Sequence, residues 1–226
     1  MTATVVFLDV GETLVDESRL WELWAKWLNV PSSVFLATLD SVIRERADHR
    51  QVFQRLRPNF DLEAEMAERR AAGWPPDVAG PEDLYPDARP CLQTLRSLGF
   101  QIGVVGNQPS DIERMLNAAD LGVDLVGSSQ TWGVSKPSPA FFQRIIDSAA
   151  VPAAQIAYVG DRLDNDVLPA VALGMVGVFL RRGPWGRVHA DWPEVERATL
   201  RIESLAELPA ALARHNASHG SAAQAR

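Results

Sequence analysis

Three acids and one lysine carry the reactive chemistry of this chain. Asp9 follows the apolar run Thr4-Val5-Val6-Phe7-Leu8 and opens the segment Asp9-Val10-Gly11-Glu12-Thr13-Leu14. A second run, Ile156 to Val159, leads into Gly160-Asp161-Arg162-Leu163-Asp164-Asn165-Asp166. Short continuous apolar runs read as strands buried on both faces of a parallel sheet. Open sheets of that kind bind ligands at the carboxyl ends of their strands, near the point where strand order reverses. If the two strands are neighbours, Asp9 and Asp161 converge, and two carboxylates with backbone carbonyls make an oxygen-rich site suited to Mg²⁺. Lys136, just before Ser138-Pro139, could offset the charge of a carboxylate meeting a phosphoryl group. It is one of only two lysines, with Lys26, in a chain that otherwise uses arginine for positive charge.

The elements that must position these residues follow from periodicity. Ile102 to Val105, Leu125 to Gly127 and Val176 to Leu180 are further strand-like runs. Helical spacing fills the gaps between them at Arg89 to Leu98, Ile112 to Ala119 and Phe141 to Ala149, with Ser138 a candidate N-cap and Pro139 a first-turn proline. Alternating strands and helices predict an α/β fold, a Rossmann-like doubly wound parallel sheet. Residues 16–83 break the rhythm. Leu20, Leu23, Trp24, Trp27 and Leu28 share a helical face, as do Phe35, Leu39, Val42 and Ile43 after the cap candidates Ser32 and Ser33. Further helices are expected over Arg50 to Leu56 and Leu62 to Ala72. The predicted organisation is a core of residues 1–15 and 84–213, an all-helical insertion of 16–83 after the first strand, and a small, polar, disordered tail over 214–226.

Composition narrows the functions. The chain has 226 residues, 46% of them hydrophobic, and a net charge of −7. That is enough for a sizeable core. An acidic balance argues against nucleic acid or an anionic membrane as partner. No apolar run approaches the ~20 residues of a membrane span. A single cysteine, Cys91, allows no internal disulfide, and the first residues carry no basic leader, so a cytoplasmic location is expected.

The order of these pieces resembles the haloacid dehalogenase superfamily, in its helical-cap branch, over the chain to about residue 213. That family's first motif, Asp-x-Asp-Gly-Thr, is matched by Asp9 to Leu14. Its second, a strand ending in a hydroxyl residue often followed by Asn, is matched in part by Val104-Val105-Gly106-Asn107. Its lysine is matched by Lys136 in Ser135-Lys136-Pro137, and its closing acids by Gly160-Asp161 and Asp166. Leu84-Tyr85-Pro86 looks like the return from the helical cap. The resemblance implies a phosphatase acting on a small phosphorylated metabolite. Asp9 would attack phosphorus and form an aspartyl-phosphate, which water hydrolyses. Mg²⁺ would be held by Asp9, the Gly11 carbonyl and Asp161. Asp166 would hold a metal-bound water or orient Lys136, and Gly106 and Asn107 would face the phosphoryl group.

Two departures bear on the chemistry. The family's second aspartate, its general acid and base, is replaced by Gly11. The carbonyl ligand survives that change but the proton donor does not. Glu12 is the adjacent substitute, although successive side chains of extended backbone point opposite ways. The hydroxyl of the second motif is replaced by Gly106, with Asn107 as partial replacement.

A metal-independent 2-haloacid dehalogenase also lacks the second aspartate, but has no use for the acidic pair Asp161 and Asp166. A phosphonate-cleaving enzyme needs a cap lysine, for which only Lys26 is available, among tryptophans. Gly11 and Gly106 favour a binding or regulatory member without turnover; Asp9, Lys136 and Asp161 oppose it. Asp161 and Asp166 also suit a helix N-terminus on dipole grounds alone. Trp21, Trp24 and Trp27 read as packing within the insertion. Arg44, Arg46, His49 and Arg50 read as a solvated helix face that could instead meet an anionic substrate.

Overall fold

A computed structural model describes residues 2–224, with side chains as far as His219. The chain divides into two compact units, Met1–Asp16 with Gly80–Arg226, and Glu17–Ala79. Five strands of the first unit coincide with the apolar runs: β1 (Val5–Leu8), β2 (Gln101–Gly106), β3 (Leu125–Ser128), β4 (Ile156–Gly160) and β5 (Val176–Leu180). A sixth, β6 (Leu200–Ile202), is only three residues at the sheet edge. The sheet is parallel throughout, in the order β3-β2-β1-β4-β5-β6. The order reverses between β1 and β4, so the two strands bearing Asp9 and Asp161 are hydrogen-bonded neighbours, Leu8 opposite Val159.

The helical insertion between β1 and β2 comprises α1 (Ser18–Trp27), α2 (Ser32–Arg44), α3 (Gln51–Leu56) and α4 (Leu62–Ala71). Its interior is aromatic. The Trp24 ring lies 4.8 Å from Phe53 and 5.9 Å from Phe60, and Phe53 stacks on Phe60 at 4.7 Å. Trp21 packs near Phe35, and Trp27 Nε1 donates to Glu65 at 2.6 Å. The three tryptophans are thus occupied within the unit. Asp61 caps α4, accepting from the amides of Glu63 and Ala64. Ser32 caps nothing: Pro31 holds the N-cap position of α2 and Ser32 is already helical. A proline there costs no hydrogen bond, because the first helical amides lack intrahelical partners. Arg44 pairs with Asp40 on an exposed face at 2.8 Å.

The remaining helices cover the sheet: α5 (Ala88–Ser97), α6 (Asp111–Ala118), the single turn α7 (Ser129–Trp132), α8 (Pro139–Ala149), α9 (Leu168–Ala172), α10 (Gly183–His189) and α11 (Leu208–Gln224). Ser138 caps α8 with Pro139 in its first turn. Phe141, Phe142 and Ile145 of α8 bury themselves with Phe7, Val105 and Tyr158 of the sheet. Cys91 is buried on α5, where burial pushes its thiol up to about 12, so it behaves as a small core residue.

The segment from Arg214 departs from the expected disorder. It continues α11 to Gln224, and residues 225 and 226 lie outside the described residues. Asn216 bonds the Ala3 backbone in both directions, at 2.7 and 2.8 Å, and His215 is buried. Small, polar composition signals disorder only when no surface is available to dock on, and the segment that leads into the first strand provides one.

Candidate active site

Parallel alignment brings the carboxyl ends of β2, β1 and β4 to one edge of the sheet. Asp9 leaves β1 there with its amide donating to Val159 O at 2.9 Å. Asp161 leaves β4 beside it, and a π-type turn over Leu163–Val167 swings Asp166 back to the same place. One oxygen from each of Asp9, Asp161 and Asp166 lies within 4.8 Å of the others, and all three residues are buried. Gly160 is required by this packing, since a Cβ there would sit 2.3 Å from Asp166 Oδ2.

Lys136 joins the cluster from the segment before α8. Its Nζ donates to Asp9 Oδ1 and to Asp166 Oδ1, both at 2.6 Å, with the side chain fully enclosed. Burial alone would lower the ammonium's pKa, but Asp166 and Asp9 outweigh it and hold the group charged. Burial pushes the Asp166 carboxyl up to about 6, against the opposing pull of Lys136. Both Asp166 oxygens are already engaged, Oδ1 by Lys136 and Oδ2 by the Arg162 amide at 3.0 Å. This arrangement suits orientation of Lys136 better than direct cation binding.

Asp161 is the exception. Its Oδ2 is buried with no hydrogen-bond partner among the described residues. Burial, then the charges of Asp166, Asp9 and Glu12, raise its carboxyl well above the usual carboxylate range. An orphaned, desolvated carboxylate oxygen is costly unless something cationic meets it. With three carboxylates facing one ammonium, the residues present fit a hard divalent cation.

The glycines of the two departing motifs have distinct surroundings. A Cβ on Gly106 would fall 2.7 Å from Asp9 Oδ1, so the missing hydroxyl goes with a close approach of the Asp9 carboxylate. Asn107 is exposed, yet both polar groups of its side chain are engaged by the Lys136 backbone. Its Oδ1 accepts from the Lys136 amide and its Nδ2 donates to the Lys136 carbonyl, both at 2.8 Å, so it clamps the lysine's backbone. In the loop after Asp9, Glu12 rather than Gly11 has a positive φ, 52°. The Glu12 carboxylate is buried and accepts from Tyr85 Oη at 2.7 Å. Sequence inspection finds Tyr85 only as a point of return from the insertion and does not find Arg182. Arg182 donates to Thr13 O at 3.0 Å, and its guanidinium lies 4.1 Å from the Tyr85 ring. No motif signals either contact, because the residues meet only through the fold.

A family model for haloacid dehalogenase-like hydrolases matches residues 3–174. The chain belongs to this family. Haloacid dehalogenase-like hydrolase domain-containing protein 3 of Danio rerio is 33% identical over 144 residues, 62% of this chain and 57% of that one. A glyceraldehyde 3-phosphate phosphatase of Methanopyrus kandleri is 37% identical over 107 residues, 45% of each chain. A phosphoglycolate phosphatase of Rhodospirillum rubrum is 34% identical over 119 residues, 51% of this chain and 48% of that one. The chain spans about half the length of these curated relatives. Two solved hydrolases share the fold. A HAD phosphatase from Thermococcus onnurineus superposes with a TM-score of 0.55 at 22% identity, covering 92% of this chain and 96% of that one. A 2-haloacid dehalogenase from Pseudomonas syringae pv. Tomato DC3000 gives 0.56 at 22%, covering 95% and 99%. A phosphatase and a dehalogenase thus match equally well, and the chemistry of this chain must be argued from its own residues.

Proposed function

We propose that this hydrolase is a Mg²⁺-dependent phosphatase acting on a small phosphorylated metabolite through an aspartyl-phosphate on Asp9. The observation that carries the reading is the orphaned Asp161 Oδ2, set among converging Asp9 and Asp166. A metal-free carbon–halogen hydrolase gains nothing from a buried, unpaired carboxylate, whereas a cation site needs one. Relatives named as phosphatases of glyceraldehyde 3-phosphate and of phosphoglycolate support the substrate class.

Asp9, the Gly11 carbonyl and Asp161 would hold the cation. When bound, it supplies positive charge to the transferring phosphoryl group. A free oxygen of Asp9 attacks phosphorus, forming the Asp9 O–P bond as the bond to the leaving oxygen breaks. Lys136, fixed by Asp166 on one side and by Asn107 through its backbone, keeps Asp9 aimed and neutralises charge as the groups approach. Water then hydrolyses the acyl phosphate and returns Asp9. Gly11 supplies no proton to the leaving oxygen, so that oxygen departs with its electron pair and takes a proton from solvent.

The test is phosphate release from a panel of phosphate esters, with and without Mg²⁺ and a chelator, beside a 2-haloacid assay. Mg²⁺-dependent release abolished in Asp9→Asn and Asp161→Asn is expected. Chelator-resistant halide release would sink the phosphatase reading.

A further inference from the structure

Glu12 meets two costs at once. It occupies the left-handed region at φ 52°, where glycine is favoured, and it buries a carboxylate beside the nucleophile. A glycine would avoid both. Outliers of this kind persist only where the surroundings over-determine them, and they cluster at functional sites.

The surroundings are specific. Tyr85 Oη donates to Glu12 Oε2 at 2.7 Å. Gly183 backs the same side chain so closely that a Cβ there would lie 2.6 Å from Oε2. Arg182, one residue earlier, lies over the Tyr85 ring and donates to Thr13 O at 3.0 Å. It also pairs with Asp87, whose Oδ2 accepts from the Leu205 amide at 3.0 Å. The loop after Asp9 is therefore held at the Glu12 side chain and at the Thr13 carbonyl, on the side of Gly11 away from the nucleophile.

We infer that Glu12 is a positioning residue: through Tyr85, Gly183 and Arg182 it fixes the Asp9–Thr13 loop in the shape that presents the Gly11 carbonyl and the Asp9 carboxylate to a divalent cation. The role rests on the Mg²⁺ reading above. Glu12 acts through the loop, by holding its shape.

The experiment uses the full chain and Mg²⁺ alone, titrated by calorimetry, with amide hydrogen exchange across residues 10–14 followed in metal-free protein. Tyr85→Phe and Glu12→Gly should each weaken Mg²⁺ binding by about tenfold or more, the scale of lost outer-shell partners. Both should speed exchange in the loop. Glu12→Gln, which keeps an acceptor for Tyr85, should lose less than about tenfold in affinity. Glu12→Gly should melt no lower than the wild type, because glycine relieves the left-handed conformation. A purely structural role predicts the reverse, a lower melting temperature with Mg²⁺ affinity unchanged. Unaltered Mg²⁺ binding and unaltered exchange in Tyr85→Phe and Glu12→Gly would overturn the inference. If the wild type binds no Mg²⁺, the metal reading fails by itself. The exchange arm then decides: faster loop exchange in both variants upholds the bracing of the loop, and unchanged exchange removes it.

Discussion

Asp161→Asn should stabilise the metal-free protein while abolishing its activity. The wild-type carboxylate is buried, its Oδ2 has no partner, and Asp166, Asp9 and Glu12 all repel its charge. A buried polar group left without a partner costs about 1–3 kcal/mol, and more when it is charged, and an isosteric neutral amide removes the repulsion. For a core of this size each kcal/mol moves the melting temperature by about 2–4 °C, so a rise of roughly 2–12 °C is expected in chelator at pH 8. The pH dependence has a definite sign. Asp161 is raised in the folded state, so the native protein binds its proton more tightly than the unfolded chain does, and stability falls as pH rises. The gain should therefore vanish below pH ~4, where the carboxyl is protonated in both states, and grow as pH rises through the raised value. Added Mg²⁺ should stabilise the wild type by mass action and leave the variant unmoved. Thermal unfolding monitored by circular dichroism measures each of these conditions. A variant no more stable than the wild type in chelator at pH 8 would refute the reasoning, since the carboxylate would then carry no electrostatic burden for a cation to relieve.

Other perturbations test neighbouring parts of the site. A positioned general acid contributes ~10²–10⁴-fold, so with glycine at position 11 aryl phosphates should turn over far faster than alkyl phosphates, and Gly11→Asp should narrow the ratio. Gly11 is not among the positive-φ residues, so the aspartate enters without backbone strain; equal alkyl and aryl rates in the wild type would point to another proton donor. Gly106→Ser should lower kcat by about tenfold or more by driving its Cβ against Asp9 Oδ1, and wild-type turnover in that variant would show that the contact is relaxed at no cost. Asn107→Ala removes both tethers on the Lys136 backbone; a kcat loss of about tenfold with little change in KM is expected, whereas a change confined to KM would mark Asn107 as a substrate contact instead.

Much of this architecture is legible in the sequence, for physical reasons. Strands buried on both faces must be apolar throughout, so β1, β2, β4 and β5 stand out as runs, and their order leads to Asp9 and Asp161. Strand β6 escapes notice because three edge residues, Leu200-Arg201-Ile202, carry too little pattern to distinguish from a loop. The second half of α11 was hidden by composition, because what orders it is a long-range pair, Asn216 with Ala3. The site shows the same division. Acids at strand ends are visible in one dimension, and so is Lys136 in a lysine-poor chain. The clamp by Asn107 and the brace of Tyr85, Arg182 and Gly183 are not, because each joins residues far apart along the chain through contacts that only the folded sheet creates.

The central claim is that Asp9 is phosphorylated during turnover. Rapid quenching of the Mg²⁺-loaded enzyme with an aryl phosphate, followed by peptide mass spectrometry, tests it most directly. A phosphoryl group on the peptide containing Asp9, stable in acid and lost in hydroxylamine, is the expected result, with solvent oxygen-18 appearing only in released phosphate in a single turnover. Solvent oxygen entering the Asp9 carboxylate instead would contradict the account, because hydrolysis at the aspartyl carbonyl is the mark of attack on carbon.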